Sequence, residues 1–287
     1  MLLGISASNR KWGNCETAVK SALLAAMKRG AKTAFIRLTD IPLEPCRGCF
    51  KCLAAGGACP TDDGLYDLLC HIRSADSLVL AAPVYFMAPP AKVFSLLDRL
   101  LTMSGFKPRE GGPGRAATVT IMGNRRWLGV AEPYINLIAS LLGFEVEESL
   151  PVVAEGPGEV LSDSATIERL EVIGAAFAED KALDPAGERA NVCPVCRSDF
   201  FVVESQELEC PVCGLRGDLA AYAKDGGFRR TGGELRWGTG WLRAHAEAWM
   251  KPSVERFKAD RRDILSKLIE FRSRYKSEEE RGSVDVH

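Results

Sequence analysis

The sequence has no surplus of either charge: 37 Lys plus Arg stand against 38 Asp plus Glu in 287 residues. Without a global positive field, neither a nucleic acid nor an anionic membrane is expected as a partner. A long apolar run is also missing. The nearest thing to one, Leu78 to Ala91, has 14 residues and three prolines, too short and too interrupted to span a bilayer. The start, MLLGISASNR, lacks the basic, then apolar, then small-residue order of an export signal, so a cytoplasmic protein is expected. Histidines are few, and none of His71, His245 and His287 is assigned a catalytic role. There is no internal repeat and no low-complexity tract. With 46% hydrophobic and 26% charged residues, global disorder is excluded. The length suits one domain of ordinary size with an appendage.

What the chain has in excess is cysteine. Eight of its ten cysteines fall into two tight groups, Cys46/Cys49/Cys52/Cys59 and Cys193/Cys196/Cys210/Cys213, leaving Cys15 and Cys70 over. In a chain without an export signal, C-x-x-C pairs point to thiolates on metal more than to disulfides. Two metal sites of different kinds are expected.

Residues 1–150 alternate between strand and helix patterns. Apolar runs at Met1–Ile5, Thr33–Leu38, Ser77–Ala82, Ala117–Met122 and Phe144–Val153 read as strands. Helical periodicity separates them, up to Gly30, at Gly64–Arg73, near Ala91–Thr102 and at Val130–Leu142, with a glycine-rich loop from Gly105 to Gly114. Repeated strand–helix units favour a parallel sheet covered on both faces, an α/β fold. Beyond it come a further helix at Ser164–Glu179, a polar linker at 181–191 and the second cysteine unit at 192–218, with Phe200, Phe201, Val202, Val203 and Leu208 as its small core. From Trp241 to Tyr275 the chain is charged and helical, with an apolar stripe of Val254, Phe257, Ile264, Leu265, Leu268, Ile269 and Phe271, and 276–287 read as a frayed end. Trp237, Trp241 and Trp249 are read as buried in a core or an interface. The expected division is thus 1–180, 190–218 and 240–276.

Between the first strand and first helix lies Ser6-Ala7-Ser8-Asn9-Arg10-Lys11-Trp12-Gly13-Asn14. Small and hydroxylated residues there let backbone N–H groups close around an anion, helped by the helix terminus and by Arg10. It is neither G-x-G-x-x-G nor G-x-x-x-x-G-K-[ST], so the Rossmann and P-loop mechanisms are not supported. On this loop alone, a polar loop capping a helix is an equal reading.

Three further features add to it: Pro83-Val84-Tyr85-Phe86-Met87 after the third strand, Asp98-Arg99 closing the next helix, and the cysteines after the second strand. In this combination residues 1–150 resemble the iron–sulfur flavoproteins, a branch of the flavodoxin-like NAD(P)H-dependent FMN reductases. The resemblance implies a flavodoxin-like, doubly wound, five-stranded parallel sheet that binds FMN. It implies that Ser6, Ser8, Arg10, Gly13 and Asn14 hold the phosphate. Pro83, Val84, Tyr85, Phe86 and Met87 would line the ribityl chain and ring, and Gly123-Asn124-Arg125 would close the other side. Two positions depart from the family pattern: Cys15 replaces a Thr or Ser at the phosphate, a weak donor for a good one, and Phe94 stands where a lysine is common.

Cys46-x2-Cys49-x2-Cys52-x6-Cys59-Pro60 supplies four thiolates from a short irregular loop, as a [4Fe–4S] cubane needs. Zinc is the competitor, although it normally uses two separated pairs. In a parallel doubly wound sheet the loops after the strands all emerge at the carboxyl edge. Phosphate loop, cysteine loop and PVYFM turn are therefore expected to gather there, with cluster and flavin close enough for electron transfer.

The second group, Cys193-Pro-Val-Cys196 and Cys210-Pro-Val-Cys213, has the form of two metal knuckles. Zinc ribbon is the first reading and iron in a rubredoxin-like site the second. Residues 181–240 hold eight Lys plus Arg and nine Asp plus Glu, which gives no footprint for nucleic acid.

The expected function is that of an FMN-dependent oxidoreductase passing electrons between a ferredoxin-like carrier, a [4Fe–4S] cluster and FMN to reduce a small-molecule acceptor. The rivals are a direct NAD(P)H-dependent FMN or quinone reductase and a redox-sensing scaffold that binds a partner through its ribbon. A homodimer or homotetramer is expected, because a second subunit would shield the flavin edge and the glycine-containing cluster loop.

Overall fold

A computed structural model describes residues 1–54, 56–105, 111–184, 189–233, 235–236 and 241–282. The Gly105–Gly114 loop, the 181–191 linker and the 276–287 end lie partly outside the described residues, and Trp237 and His287 wholly so. The chain divides into two units, Met1–Leu242 and Arg243–His287.

In the first unit five strands pair in parallel: β1 (Leu2–Ser6), β2 (Thr33–Arg37), β3 (Ser77–Pro83), β4 (Gly114–Met122) and β5 (Phe144–Val153). Their order is β2-β1-β3-β4-β5, with Ile5 facing Ile36 on one side and Leu80 on the other. Alternate residues point to opposite faces, as the pleat demands. Leu3, Ile5, Leu78 and Leu80 enter one buried cluster, and Leu2, Val79, Ala81 and Val119 the other. Helices α3 (Leu65–Ser74), α4 (Ala91–Leu97) and α5 (Ala131–Leu141) close the first face through Leu68, Leu69, Val93, Leu96, Ile135 and Ile138. On the second face α1 (Asn14–Lys28) and α6 (Ser164–Ala178) bring Val19, Leu23, Leu170 and Ile173. Each such side chain stabilises the fold by about 1.5–3 kcal/mol relative to leaving it exposed. This is the doubly wound flavodoxin-like sheet expected from the sequence.

Three expectations need correction. The helix foreseen over Ala91–Thr102 stops at Leu97 and resumes as a 3-10 turn at Leu100–Gly105, where Gly105 fits directly against the backbone of Gly56 and Gly57. The second cysteine unit runs past 218: β6 (Val202–Glu204), β7 (Glu207–Glu209) and β8 (Arg216–Asp218) are joined, after α7 (Leu219–Asp225), by β9 (Arg230–Gly232) in one antiparallel sheet. Its core also differs, since Phe200, Val202 and Val203 are exposed, while Leu208 is buried and Leu215 packs with the four cysteines against Phe201 and Phe228. Strand β6 forms one edge of this sheet, paired to β7.

A short helix, α8 (Trp241–His245), ends the first unit and begins the second. The second unit continues through a π-helical turn at Ala246–Met250 into α9 (Lys251–Gly282). Trp249 is 57% exposed, so it is not part of a core within the chain, and the expected interface position stays open. Phe257, Ile264, Leu265, Leu268 and Ile269 are likewise exposed along α9. No helix of the described residues is long and apolar enough to cross a membrane.

Candidate functional site

The sheet order places β1 between β2 and β3, so the loops that follow these three strands leave from adjacent points on the carboxyl edge. Hydrogen bonds tie the first of them to its neighbours. Ala7 N–H donates to the Ala81 carbonyl at 2.8 Å, and the Thr39 hydroxyl to the Ser8 carbonyl at 3.3 Å. From the far side of the edge, the Glu155 carbonyl after β5 accepts from Arg10 Nη1 at 3.3 Å.

The loop after β1 has the chemistry of an anion cradle. Ser6 and Ser8 are buried, and their oxygens accept the N–H groups of Ser8 at 3.4 Å and Arg10 at 3.2 Å. A hydroxyl that accepts in this way keeps its own hydrogen to donate. Helix α1 opens at Asn14 with Gly13 as its N-cap and no side chain capping it, so its first-turn amides stay available to a negative ligand. Only glycine fits at 13, because a Cβ there would lie 2.8 Å from that of Arg10. Asn14 serves the fold with its side chain: its amide nitrogen donates to the Ala154 and Gly156 carbonyls at 3.2 and 2.8 Å, and its oxygen accepts Val160 N–H at 3.2 Å. What it can offer a ligand is its backbone N–H.

The acid in this turn, Glu16, was not foreseen as part of the site. Its carboxylate is buried and accepts from Lys20 at 2.6 Å, from Trp12 N–H at 3.0 Å and from Arg37. Burial alone would push the carboxyl up, but these bonds outweigh it and pull it down to about 2. Its charge is thereby committed within the protein. Cys15 packs in the apolar cluster of α1 and α6, where burial pushes its thiol up to about 12. It is a neutral core residue, and only its backbone faces the loop's task.

After β3 the chain makes a tight reversal. Tyr85 and Ala88 exchange backbone bonds of 2.8 and 3.1 Å, and the two residues between them, Phe86 and Met87, have φ of 49° and 63°. Positive φ at both central positions is the type I′ pattern, which normally calls for Gly or Asn. Strain at non-glycine residues is concentrated at functional sites, and here it holds Tyr85, Phe86 and Met87 out into solvent, Phe86 at 89% exposure. Pro83 ends β3, and Val84 is fastened by its N–H to the Ile121 carbonyl at 2.7 Å. Gly123, Asn124 and Arg125 follow β4 at the same edge and are exposed. Asn124 Oδ1 accepts Arg126 N–H at 2.9 Å and so caps the 3-10 turn Arg125–Trp127. Phe94, in place of a lysine, stacks edge-on with Tyr134 at 5.5 Å.

The first cysteine group occupies an irregular loop after β2, with positive φ at Gly48, Phe50, Gly56 and Gly57, and includes one short helix, α2 (Lys51–Ala54). Cys46 and Cys49 are exposed, Cys52 and Cys59 half-buried. Burial, and after it the charges of Cys59, Cys46 and Cys49, push the Cys52 thiol up. Burial would raise Cys59 as well, but bonds from Thr61 and Arg99 bring it below the usual thiol range. The sulfurs of Cys193, Cys196, Cys210 and Cys213 all lie within 4.8 Å of one another. A single ion with bonds of about 2.3 Å needs its four sulfurs ~3.8 Å apart.

The second group suits one tetrahedral ion. Its sulfurs are buried, with Cys193 to Cys213 at 3.4 Å and Cys196 to Cys210 at 3.5 Å. The two knuckles are built alike: Arg197 N–H donates to the Cys193 carbonyl at 2.9 Å, and Gly214 N–H to the Cys210 carbonyl at 2.8 Å. Both donors have positive φ, 64° and 77°. Asn136 of α5 donates to the Cys196 carbonyl at 3.0 Å, joining the ribbon to the sheet's helices.

Residues 1–150 match the family described as NADPH-dependent FMN reductase. An iron-sulfur flavoprotein of Methanocaldococcus jannaschii is 38% identical over 117 residues, covering 40% of this chain and 60% of that one. Another, from Methanosarcina thermophila, is 36% identical over 98 residues, 34% of this chain and 51% of its own length. A third, from Archaeoglobus fulgidus, is 27% identical over 182 residues, 62% of this chain and 78% of its own. The chain thus spans little more than half the length of the first two. Among solved structures a flavone reductase aligns with a TM-score of 0.72 over 95% of this chain and 96% of its own, at 18% identity, a likeness of fold. With half its length matched, and with the parallel sheet and edge loops described above, the chain belongs to the NADPH-dependent FMN reductase family.

Proposed function

We propose that this chain is an FMN-dependent oxidoreductase that passes electrons between a ferredoxin-like one-electron carrier, a [4Fe–4S] cluster on Cys46, Cys49, Cys52 and Cys59, and FMN, for the reduction of a small acceptor. The observation that carries the reading is the shared edge: anion cradle, cysteine loop and strained aromatic turn follow three adjacent strands. Ser6, Ser8, Arg10, Gly13 and the first-turn amides of α1, those of Asn14 and Cys15 among them, would hold the FMN phosphate. Pro83 to Met87 on one side and Gly123 to Arg125 on the other would flank the ribityl chain and ring. When bound, FMN exchanges electrons singly or in pairs, which is what a one-electron carrier and a two-electron acceptor require between them. The chain's own part is to neutralise the phosphate, fix the turn against the ring and keep the thiolates beside it.

The name shared by the relatives supports the iron–sulfur assignment. We assign the second group to zinc, with iron as the alternative, in a structural role, since its sulfurs are closed off from solvent. Direct reduction of FMN by NAD(P)H is the second reading, favoured by the family's description as NADPH-dependent. Anaerobic stopped-flow of the loaded protein separates the two. Flavin bleaching by reduced ferredoxin and not by NADPH is the expected result, and rapid bleaching by NADPH alone reverses the order.

A further inference from the structure

Arg99 is a cation with almost no water around it, its side chain 2% exposed and that of its ion-pair partner Asp63 4%. It follows Asp98, the residue that caps α4, and enters the space between the cysteine loop and α3. Nη1 pairs with the Asp63 carboxylate and donates to the Glu44 carbonyl at 3.3 Å. Asp63 in turn accepts Glu44 N–H at 2.8 Å and Leu65 N–H at 3.2 Å. A guanidinium is a rigid fork, so fixing one terminal nitrogen aims the other. Nη2 is aimed at sulfur, and it donates to Cys59 Sγ at 3.3 Å.

We infer that Arg99 sets the reduction potential of the cluster on the first cysteine group through its hydrogen bond to Cys59, an inference that rests on the [4Fe–4S] reading of that group. When a reductant gives up one electron to the cluster, one negative charge is added to a group already carrying four thiolates, and no bond forms or breaks. A fixed positive donor on one of those sulfurs favours the reduced side of that exchange. Arg47 and Lys51 are nearer in sequence, but both are exposed, where water and salt screen them. Arg99 is shielded, and its effect persists. It is a positioning residue that acts through Cys59.

The test is a redox titration of the full-length loaded protein with dithionite, followed by electron paramagnetic resonance, with iron and sulfide counted in each sample. Wild type is compared with Arg99→Lys and with the double variant Arg99→Gln/Asp63→Asn. Lysine keeps the charge but has no second nitrogen to serve both Asp63 and Cys59. The double variant removes both charges together, so that no carboxylate is left buried without its partner. Both variants are expected to keep four irons and to shift the one-electron equilibrium about tenfold toward the oxidised side, a midpoint lower by ~59 mV. A wild type without four irons overturns the cluster reading, and this inference with it. Four irons throughout with an unmoved midpoint overturns the inference alone. Loss of iron from both variants overturns it too, making Arg99 a residue of loop assembly.

Discussion

Val130 N–H donates to the Met87 carbonyl at 2.8 Å, and that bond couples the loop after β4 to the strained turn after β3. The approach is close enough that a Cβ on Gly129 would stand 2.3 Å from the Met87 Cβ, and Gly129 itself has a φ of 50°. Gly129→Ala therefore has to move the turn. A loss of FMN affinity of about tenfold, or ~1.4 kcal/mol, is expected in a flavin fluorescence titration. Unchanged affinity in a folded variant would separate the turn from the flavin.

The two cysteine groups predict two separable losses. Cys49→Ser should abolish the broad blue-region absorbance of iron–sulfur charge transfer while FMN stays bound, since the phosphate cradle is another element. Cys196→Ser should instead release a single metal ion and lower the stability of the ribbon, whose small core depends on it. Metal analysis beside the visible spectrum checks both, and retention of iron and sulfide in Cys49→Ser removes the assignment.

Glu16 predicts a pH dependence. Its carboxyl lies at about 2 in the folded chain instead of 4.5, so its ionised form stabilises the fold above pH 4.5, and that contribution is lost as pH falls from there toward 2. Glu16→Gln should cost up to ~3 kcal/mol near neutrality and almost nothing near pH 2. Denaturant titrations at pH 7, 4 and 2.5 provide the measurement; a difference that does not shrink with acid would refute the ion-pair account.

How far this was legible in the sequence depended on the range of the interaction. The five strands could be read because each is a short apolar run with a loop at its end, and the anion loop because small residues sit at a strand–helix junction. Strand β9 gave no signal: Arg230-Thr231-Gly232 has no apolar alternation, and backbone pairing to β8 alone defines it. Phe86 and Met87 could not be foreseen in the left-handed region, where side chains of that size are disfavoured unless tertiary bonds hold them. Nor does any local pattern say that Arg99 reaches a sulfur 40 positions earlier, or that Cys15 turns into the core. Those depend on how the helices close over the sheet.

A homo-oligomer, dimer or tetramer, is the remaining expectation. The exposed Phe257, Ile264 and Leu268 of α9 recur at helical spacing and offer a surface for it. Light scattering of the metal-loaded protein at micromolar concentration should give a multiple of 31.2 kDa, and a monomer would rule out any inter-subunit electron path.

Asn136 spends its whole amide inside the protein: it gives one hydrogen bond to the Cys196 carbonyl, shares another with Ser149 and accepts from Thr118 of β4. Swinging the ribbon away would break the bond to Cys196 and leave a buried Asn136 N–H without its partner, at about 1–3 kcal/mol, while the bonds to Ser149 and Thr118, both on the sheet, would stay. The second cysteine group is thus anchored on α5 and not carried on a free tether. Anything that exchanges with it, ion or protein, has to travel to where the sheet holds it.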